Sequence, residues 1–253
     1  MSSSLKRSGK LPIKALVLAG GRGVRLKKAA KEINKCMLEF GGKPLIEYSL
    51  DIANKLRAQE IVIVVGHLAE QIINHFGNKY KGTPIKYAIQ WEQKGLVHAI
   101  ETAKNALEGS DFILLLGDEF LLNPDHRSLL EVFKEQKAFA VCGVIKVEDK
   151  TKISKTYSIM YDDETHRIFR LVEKPQHPSN NLMGTGNIIF KNEILSYIAG
   201  TPINQKRNEK ELPDLIQSAI DDGKKVVYQI LASTYVNVNT TEDMTIIKKM
   251  VDA

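Results

Sequence analysis

Between Leu18 and Lys35 the chain reads LAGGRGVRLKKAAKEINK, which sets Gly20, Gly21 and Gly23 directly behind an apolar run and Arg25 just beyond them. Glycines carry no Cβ, so their N–H groups can approach an anion closely, and an arginine adds a planar donor fork. The stretch is not a GxxxxGK[ST] loop, and Leu26 stands where a dinucleotide fingerprint needs its third glycine. Taken alone it is balanced between a phosphate cradle and a basic surface turn. A second apolar run, FILLLG, ends in Asp118. A carboxylate there suits Mg²⁺, which prefers oxygen and takes few protein ligands. Glu119 follows on extended chain and so points to the opposite side. In QWEQKGLVHAI, Gln90 ends a strand and Gly95 opens a helix. A side-chain amide offers a donor and an acceptor together, which matches the imide edge of uracil or thymine. LVEKP places Glu173 and Lys174 at a strand end before Pro175, although a bare Glu-Lys pair is ordinarily a solvated surface pair. His67, His75, His98, His126, His166 and His177 show no metal or triad spacing, and no G-x-S-x-G supports nucleophilic catalysis.

The elements that must position these residues alternate in the first half of the chain. KALVLAG, EIVIVVG, IKYAIQ and FILLLGD read as buried strands. Between them, Leu45, Tyr48, Ile52 and Leu56 form one face of a helix opened by Pro44, LAEQIINHFG a helix closed by glycine, and Leu96, Ile100, Ala103 and Leu107 another stripe. Continuous apolar strands separated by amphipathic helices predict an α/β fold, Rossmann-like, with a mostly parallel sheet covered on both faces. The second half is denser in strands, with helices at 191–199, 210–222 and 241–251, and is read as a mixed-sheet extension. In such sheets ligands bind beyond the carboxyl ends of the strands, where the candidate residues fall. No repeat or linker interrupts the chain, so it is read as one domain: a polar tail over 1–12, a first half over 13–137 and a second half over 138–253.

The 253 residues are 43% apolar and 26% charged, with a net charge of +6, which fits an anionic partner. No nucleic-acid signature appears and no run approaches a membrane span, so neither partner is expected. MSSSLKRSGK lacks an apolar segment behind it and is not read as a secretory signal. Cys36 and Cys142 form no CxxC or zinc spacing and read as reduced thiols of a cytoplasmic protein.

LAGGxGxRL, a lysine ten residues after the arginine, and GGKPLIEY together resemble the signature of the sugar-1-phosphate nucleotidylyltransferases, the sugar-nucleotide pyrophosphorylases. The resemblance covers roughly residues 13 to 245 and implies that the half over 13–137 mainly binds the nucleotide and the half over 138–253 mainly the sugar phosphate. It implies that Arg25 and Lys35 bind the nucleotide phosphates, with Leu18, Ala19, Gly20, Gly21, Gly23, Gln90 and Gly95 around the nucleotide. It implies Asp118 as a metal ligand, Lys174 on the sugar phosphate, Glu173 on sugar hydroxyls, and Thr185, Gly186 and Asn187 along the sugar pocket. Two departures stand out. Lys28, Ala30 and Asn34 replace the two prolines and the threonine of the family's P-x-T-x-x-x-P-K loop, which suggests a looser or differently shaped loop that keeps the cation spacing. Asn237 occupies the place of the family's second metal-binding aspartate, so one negative charge is missing and free metal should bind more weakly.

The resemblance therefore implies Mg²⁺-dependent transfer of a nucleoside monophosphate from an NTP, with UTP or dTTP favoured, to a sugar 1-phosphate. Catalysis would rest on Arg25, Lys35 and Lys174, with Asp118 and Asn237 on the metal. Two alternatives stay open: a cytidylyl- or guanylyltransferase, and a catalytically silent sugar-nucleotide sensor. The sugar is not legible; Ser158 stands where some relatives carry a sugar-contacting glycine. A homo-oligomer is neither required nor excluded. With the chain ending at Ala253, soon after the nucleotidyltransferase segment, no appended acyltransferase domain is expected.

Overall fold

The computed structural model describes residues 13–23, 26 and 32–252. The expected tail over 1–12, Arg25 and the lysines at 27, 28 and 31 lie outside the described residues. In chain order the first half contains β1 (Ile13–Ala19), α1 (Leu45–Lys55), β2 (Ile61–Val65), α2 (Ala69–Phe76), the short β3 (Lys79–Tyr80), β4 (Thr83–Ile89), α3 (Leu96–Thr102) and β5 (Asp111–Leu116). Then come β6 (Glu119–Leu122), α4 (His126–Glu135), β7 (Ala140–Lys146), β8 (Tyr157–Tyr161), β9 (Ile168–Glu173), β10 (Leu182–Phe190), α5 (Leu212–Asp221), β11 (Val226–Ala232), β12 (Thr234–Asn237) and α6 (Thr241–Val251).

Ten of the described strands form one sheet in the order β9-β8-β10-β5-β1-β2-β4-β3, with β7 paired to β10 and β11 paired to β7. Strands β5, β1, β2 and β4 are mutually parallel. β10 runs against both β5 and β7, so the sheet passes without a break into its mixed half. The reason the strands read as continuous apolar runs is that successive side chains enter two different cores. Leu16, Leu18, Val62, Val64 and Leu114 pack with Val97, Ile100 and Ile216 on one face. Ala15, Val17, Ile61, Ile63 and Leu115 pack with Ile46, Leu50, Ile72 and Leu129 on the other.

Several local differences from the sequence reading have simple causes. The Leu96–Leu107 stripe divides at Ala103 into α3 and a turn at Lys104–Leu107, yet Ile100, Ala103 and Leu107 all remain buried. The expected helix over 191–199 shortens to Ile194–Tyr197, with Gly200 and Pro202 close behind. Helix α4 was not legible; the Asp125 side chain caps it by accepting from the Ser128 N–H, and Leu129, Leu130 and Phe133 bury its inner face. At the other end α6 carries a complete capping box between Thr240 and Asp243, and its Ile247 packs on Phe120 and Val236.

Candidate active site

The carboxyl ends of β1, β2, β4 and β5 converge, and the candidate nucleotide residues stand there. Leu18 and Ala19 close β1 as buried residues. Gly20 is buried, whereas Gly21 is exposed and Gly23 turns the chain at a φ of 58°. Gln90 follows β4, donates its backbone N–H to the Val65 carbonyl and is 5% exposed. Its side chain lies over Gly20: a Cβ there would come within 2.9 Å of Gln90 Oε1. Gly95 takes a φ of 89°, and a side chain on it would collide with the Glu209 carboxylate. Gly95 therefore requires glycine for its backbone conformation as well as for close approach, and Gly20 lets the Gln90 side chain lie against the chain.

Behind β5 lies the charged part of the site. Lys35 Nζ is 2.6 Å from Asp118 Oδ2 and donates to Asn239 Oδ1 at 3.3 Å. Asn239 in turn donates through Nδ2 to Asn237 Oδ1 at 2.9 Å. The candidate phosphate-binding lysine and both candidate metal ligands are thus joined in one chain through Asn239, a residue the sequence reading did not single out. The antiparallel β6–β12 pair sets this geometry, with Asn237 opposite Glu119 and the Val238 N–H donating to the Asp118 carbonyl. The Lys35 loop is not loose at its end. Buried Asn34, standing where the family has proline, donates through Nδ2 to the carbonyls of Ala19 and His67 and accepts from the Cys36 N–H. Its own N–H donates to Gln71 Oε1. Hydrogen bonds here fix a turn that proline would fix by its ring. Burial, with Asp118 nearby, pushes the Cys36 thiol far up and keeps it protonated.

Glu173, Lys174, Thr185, Gly186 and Asn237 line a single cleft. Lys174 holds a positive φ of 43°, anchored by its N–H to the Thr156 carbonyl, and its Nζ lies 3.3 Å from Glu173 Oε1. Arg207 also reaches Glu173 Oε1, at 2.9 Å, and Glu211 Oε1, at 2.5 Å. Burial, with Glu173 next, raises the Glu211 carboxyl to about 7. Lys155, Arg207, Glu209 and Glu211 all border this cleft and were missed, because their neighbours on the sequence gave no signal beyond ordinary surface charge.

Thr185, Gly186 and Asn187 occupy the irregularity of β10 between its pairs at Gly184 and Ile188. Thr185 and Gly186 face the cleft. Asn187 is 1% exposed, and its side chain is occupied within the protein: Oδ1 meets His126 Nε2 at 2.8 Å and Nδ2 donates to Glu119 Oε2 at 2.7 Å. Glu119 Oε1 also accepts from the Gly186 N–H and from the Tyr235 hydroxyl. As expected it turns away from Asp118, but into a buried polar cluster rather than solvent. Burial pushes its carboxyl up to about 8 against the pull of these donors.

For a divalent metal, Asp118 and Asn237 offer one carboxylate and one amide oxygen. No group of three His, Cys, Asp or Glu suited to a metal exists among the described residues. This donor set fits Mg²⁺ bound together with phosphate oxygens, since that ion usually takes one or two protein ligands and completes its shell with phosphate and water.

A parallel sheet whose strand ends carry a glycine turn, a base-sized amide and a lysine–carboxylate pair defines a nucleotide-handling α/β enzyme. The match to known proteins is more specific: the Nucleotidyl transferase family model covers residues 14–244, so the chain belongs to that family and is a nucleotidyltransferase. It is 34% identical over 214 residues to the UTP–glucose-1-phosphate uridylyltransferase AglF of Haloferax volcanii, covering 85% of this chain and 86% of that protein. It is 28% identical to a glucose-1-phosphate thymidylyltransferase of Streptomyces griseus, covering 94% of this chain and 66% of that one. Among solved structures, a UDP-glucose pyrophosphorylase complexed with UDP-glucose superposes with a TM-score of 0.85 at 22% identity, covering 95% of this chain and 98% of that one. The UTP-bound enzyme of Acinetobacter baumannii gives 0.82 at 20% identity, covering 95% and 93%. These two likenesses establish the fold. No helix among the described residues is long and apolar enough to cross a membrane.

Proposed function

We propose that this chain transfers a nucleoside monophosphate from UTP or dTTP to a sugar 1-phosphate, with Mg²⁺, releasing pyrophosphate. The observation that carries this reading is the connected set Asp118–Lys35–Asn239–Asn237 standing beside a cleft bordered by Lys174 and Arg207. The first part suits a metal-bound triphosphate, the second an incoming phosphate. The names of the Haloferax and Streptomyces relatives support the same substrates.

In this reaction a phosphate oxygen of the sugar 1-phosphate attacks the α-phosphorus in line, and the bond to pyrophosphate breaks. The nucleophile is already anionic at neutral pH, so no general base is needed. The protein must instead bring two like-charged molecules together and stabilise the leaving charge. Lys35 would exchange Asp118 for triphosphate oxygens, and Arg25 would act with it. Lys174 and Arg207 would hold the sugar phosphate, while Glu173, Thr185 and Gly186 would face the sugar. Mg²⁺, when bound by Asp118 and Asn237, neutralises phosphate charge. The buried thiols of Cys36 and Cys142 suit a reducing cytoplasm.

A panel of four NTPs against several sugar 1-phosphates, read by pyrophosphate release, tests this. Turnover with UTP or dTTP is expected. Turnover confined to CTP or GTP, or tight binding of a sugar nucleotide without turnover, would replace the reading with a different transferase or a sensor.

A further inference from the structure

The nitrogen of the Gln90 amide lies 3.4 Å from the Gly95 carbonyl oxygen and 2.9 Å from His98 Nδ1. A carbonyl only accepts, so the atom facing Gly95 must be the amide nitrogen. Its second proton then goes to His98. His98 Nδ1 is therefore the acceptor of that bond, which assigns the ring's proton to Nε2. Two consequences follow for Gln90. Its amide has no proton left for a ligand, and its oxygen is turned the other way, against Gly20.

We infer that His98 is a base-selecting positioning residue, which holds the Gln90 amide so that Gln90 meets a nucleotide as an acceptor only. A pyrimidine with an imide N3–H, uracil or thymine, satisfies that oxygen. Cytosine held in the same register presents an N3 lone pair, which leaves two acceptors facing each other, and its N4 amino group meets the oxygen only if the base shifts, a mismatch costing about tenfold or more. The discrimination is drawn within pyrimidines, because a guanine N1–H would meet the same oxygen. This inference rests on the proposal that Gln90 reads the base, and it adds what fixes the direction of that reading.

Equilibrium binding of UTP and CTP, each with Mg²⁺, to the parental chain and to His98→Leu, His98→Met and His98→Gln provides the test. The parental chain should bind UTP at least about tenfold more tightly than CTP. Either apolar variant frees the amide to turn and should bring the two nucleotides within about threefold, with both affinities not falling alike. His98→Gln, which can offer its own amide oxygen to Gln90, should keep the parental preference. Thermal melts identify any variant that has lost its fold, and having two apolar replacements keeps the test decisive. The inference is overturned by equal parental affinities, by an unchanged ratio in a folded apolar variant, or by failure of both nucleotides to bind. A parental chain that prefers UTP but releases no pyrophosphate with any sugar 1-phosphate leaves His98 in place and defeats the proposed reaction instead.

Discussion

Lys35 and Asp118 neutralise each other: the ammonium lies 2.6 Å from the carboxylate, with the lysine side chain 9% exposed and the aspartate 27%. In the proposed reaction, the cation meant for a triphosphate and the carboxylate meant for its metal are thus stored as a pair. Substrate and metal arriving together would replace each partner of that pair, which would avoid leaving either charge buried alone.

Removal of the ammonium should expose how much the transition state depends on it. Lys35→Ala is expected to lower turnover by about 10²–10³, the loss typical of one preorganised charge-stabilising donor. Steady-state pyrophosphate release, with circular dichroism to confirm the fold, makes the check. Near-parental turnover in a folded variant would remove Lys35 from the chemistry.

The same pair predicts a change in metal affinity. If Asp118 is a metal ligand, Lys35 competes with the cation for it in the nucleotide-free chain. Lys35→Met should therefore bind Mg²⁺ more tightly than the parental chain by calorimetry, and Asp118→Asn more weakly than either. For Asn237→Ala the Mg²⁺ concentration giving half-maximal rate should rise; an unchanged Mg²⁺ dependence would exclude Asn237 as a ligand.

Glu119 gives a stability prediction with a definite sign. Its folded carboxyl is held near 8 by burial, against an ordinary 4.5, so between those values the folded chain keeps a proton that the unfolded chain has released. Its contribution is complete below the lower value and is lost as pH rises through the upper one, by on the order of 1 kcal/mol per pH unit. Urea melts between about pH 5 and pH 8 should show this decline. Glu119→Gln, which does not ionise, should flatten it; an identical slope in the variant would assign the decline elsewhere.

Arg207 is placed to test the sugar-phosphate side separately. It bridges Glu173 and Glu211, so Arg207→Ala removes a phosphate donor and leaves two carboxylates facing the cleft. The KM for sugar 1-phosphate should rise by about tenfold or more, with the KM for the nucleotide changed far less. Equal effects on both would show that Arg207 supports the fold rather than one substrate.

How much of this was legible depended on how local the signal was. The strand-end positions of Gly20, Gln90 and Asp118 were readable because each closes an apolar run, and hydrophobic periodicity is a local property. Asn239, Tyr235 and Arg207 were not, because their partners Lys35, Glu119 and Glu173 lie far away in the chain and meet them only after the sheet forms. Asn34 shows the limit of substitution reasoning. Loss of a proline suggested a looser or differently shaped loop, yet four hydrogen bonds through the asparagine fix the chain where the loop reaches Lys35. Glu119 was correctly turned from Asp118 by alternation along the chain. What it would bury itself against was a tertiary fact.

Nucleotidyl transfer to a sugar 1-phosphate can be observed directly in a phosphorus NMR time course. With UTP or dTTP, Mg²⁺ and glucose 1-phosphate as the first acceptor of a panel, pyrophosphate should appear together with the coupled signals of a sugar-linked diphosphate, in equal amounts. An unchanged triphosphate across every acceptor, or its breakdown to inorganic phosphate without a sugar-linked product, would contradict the claim.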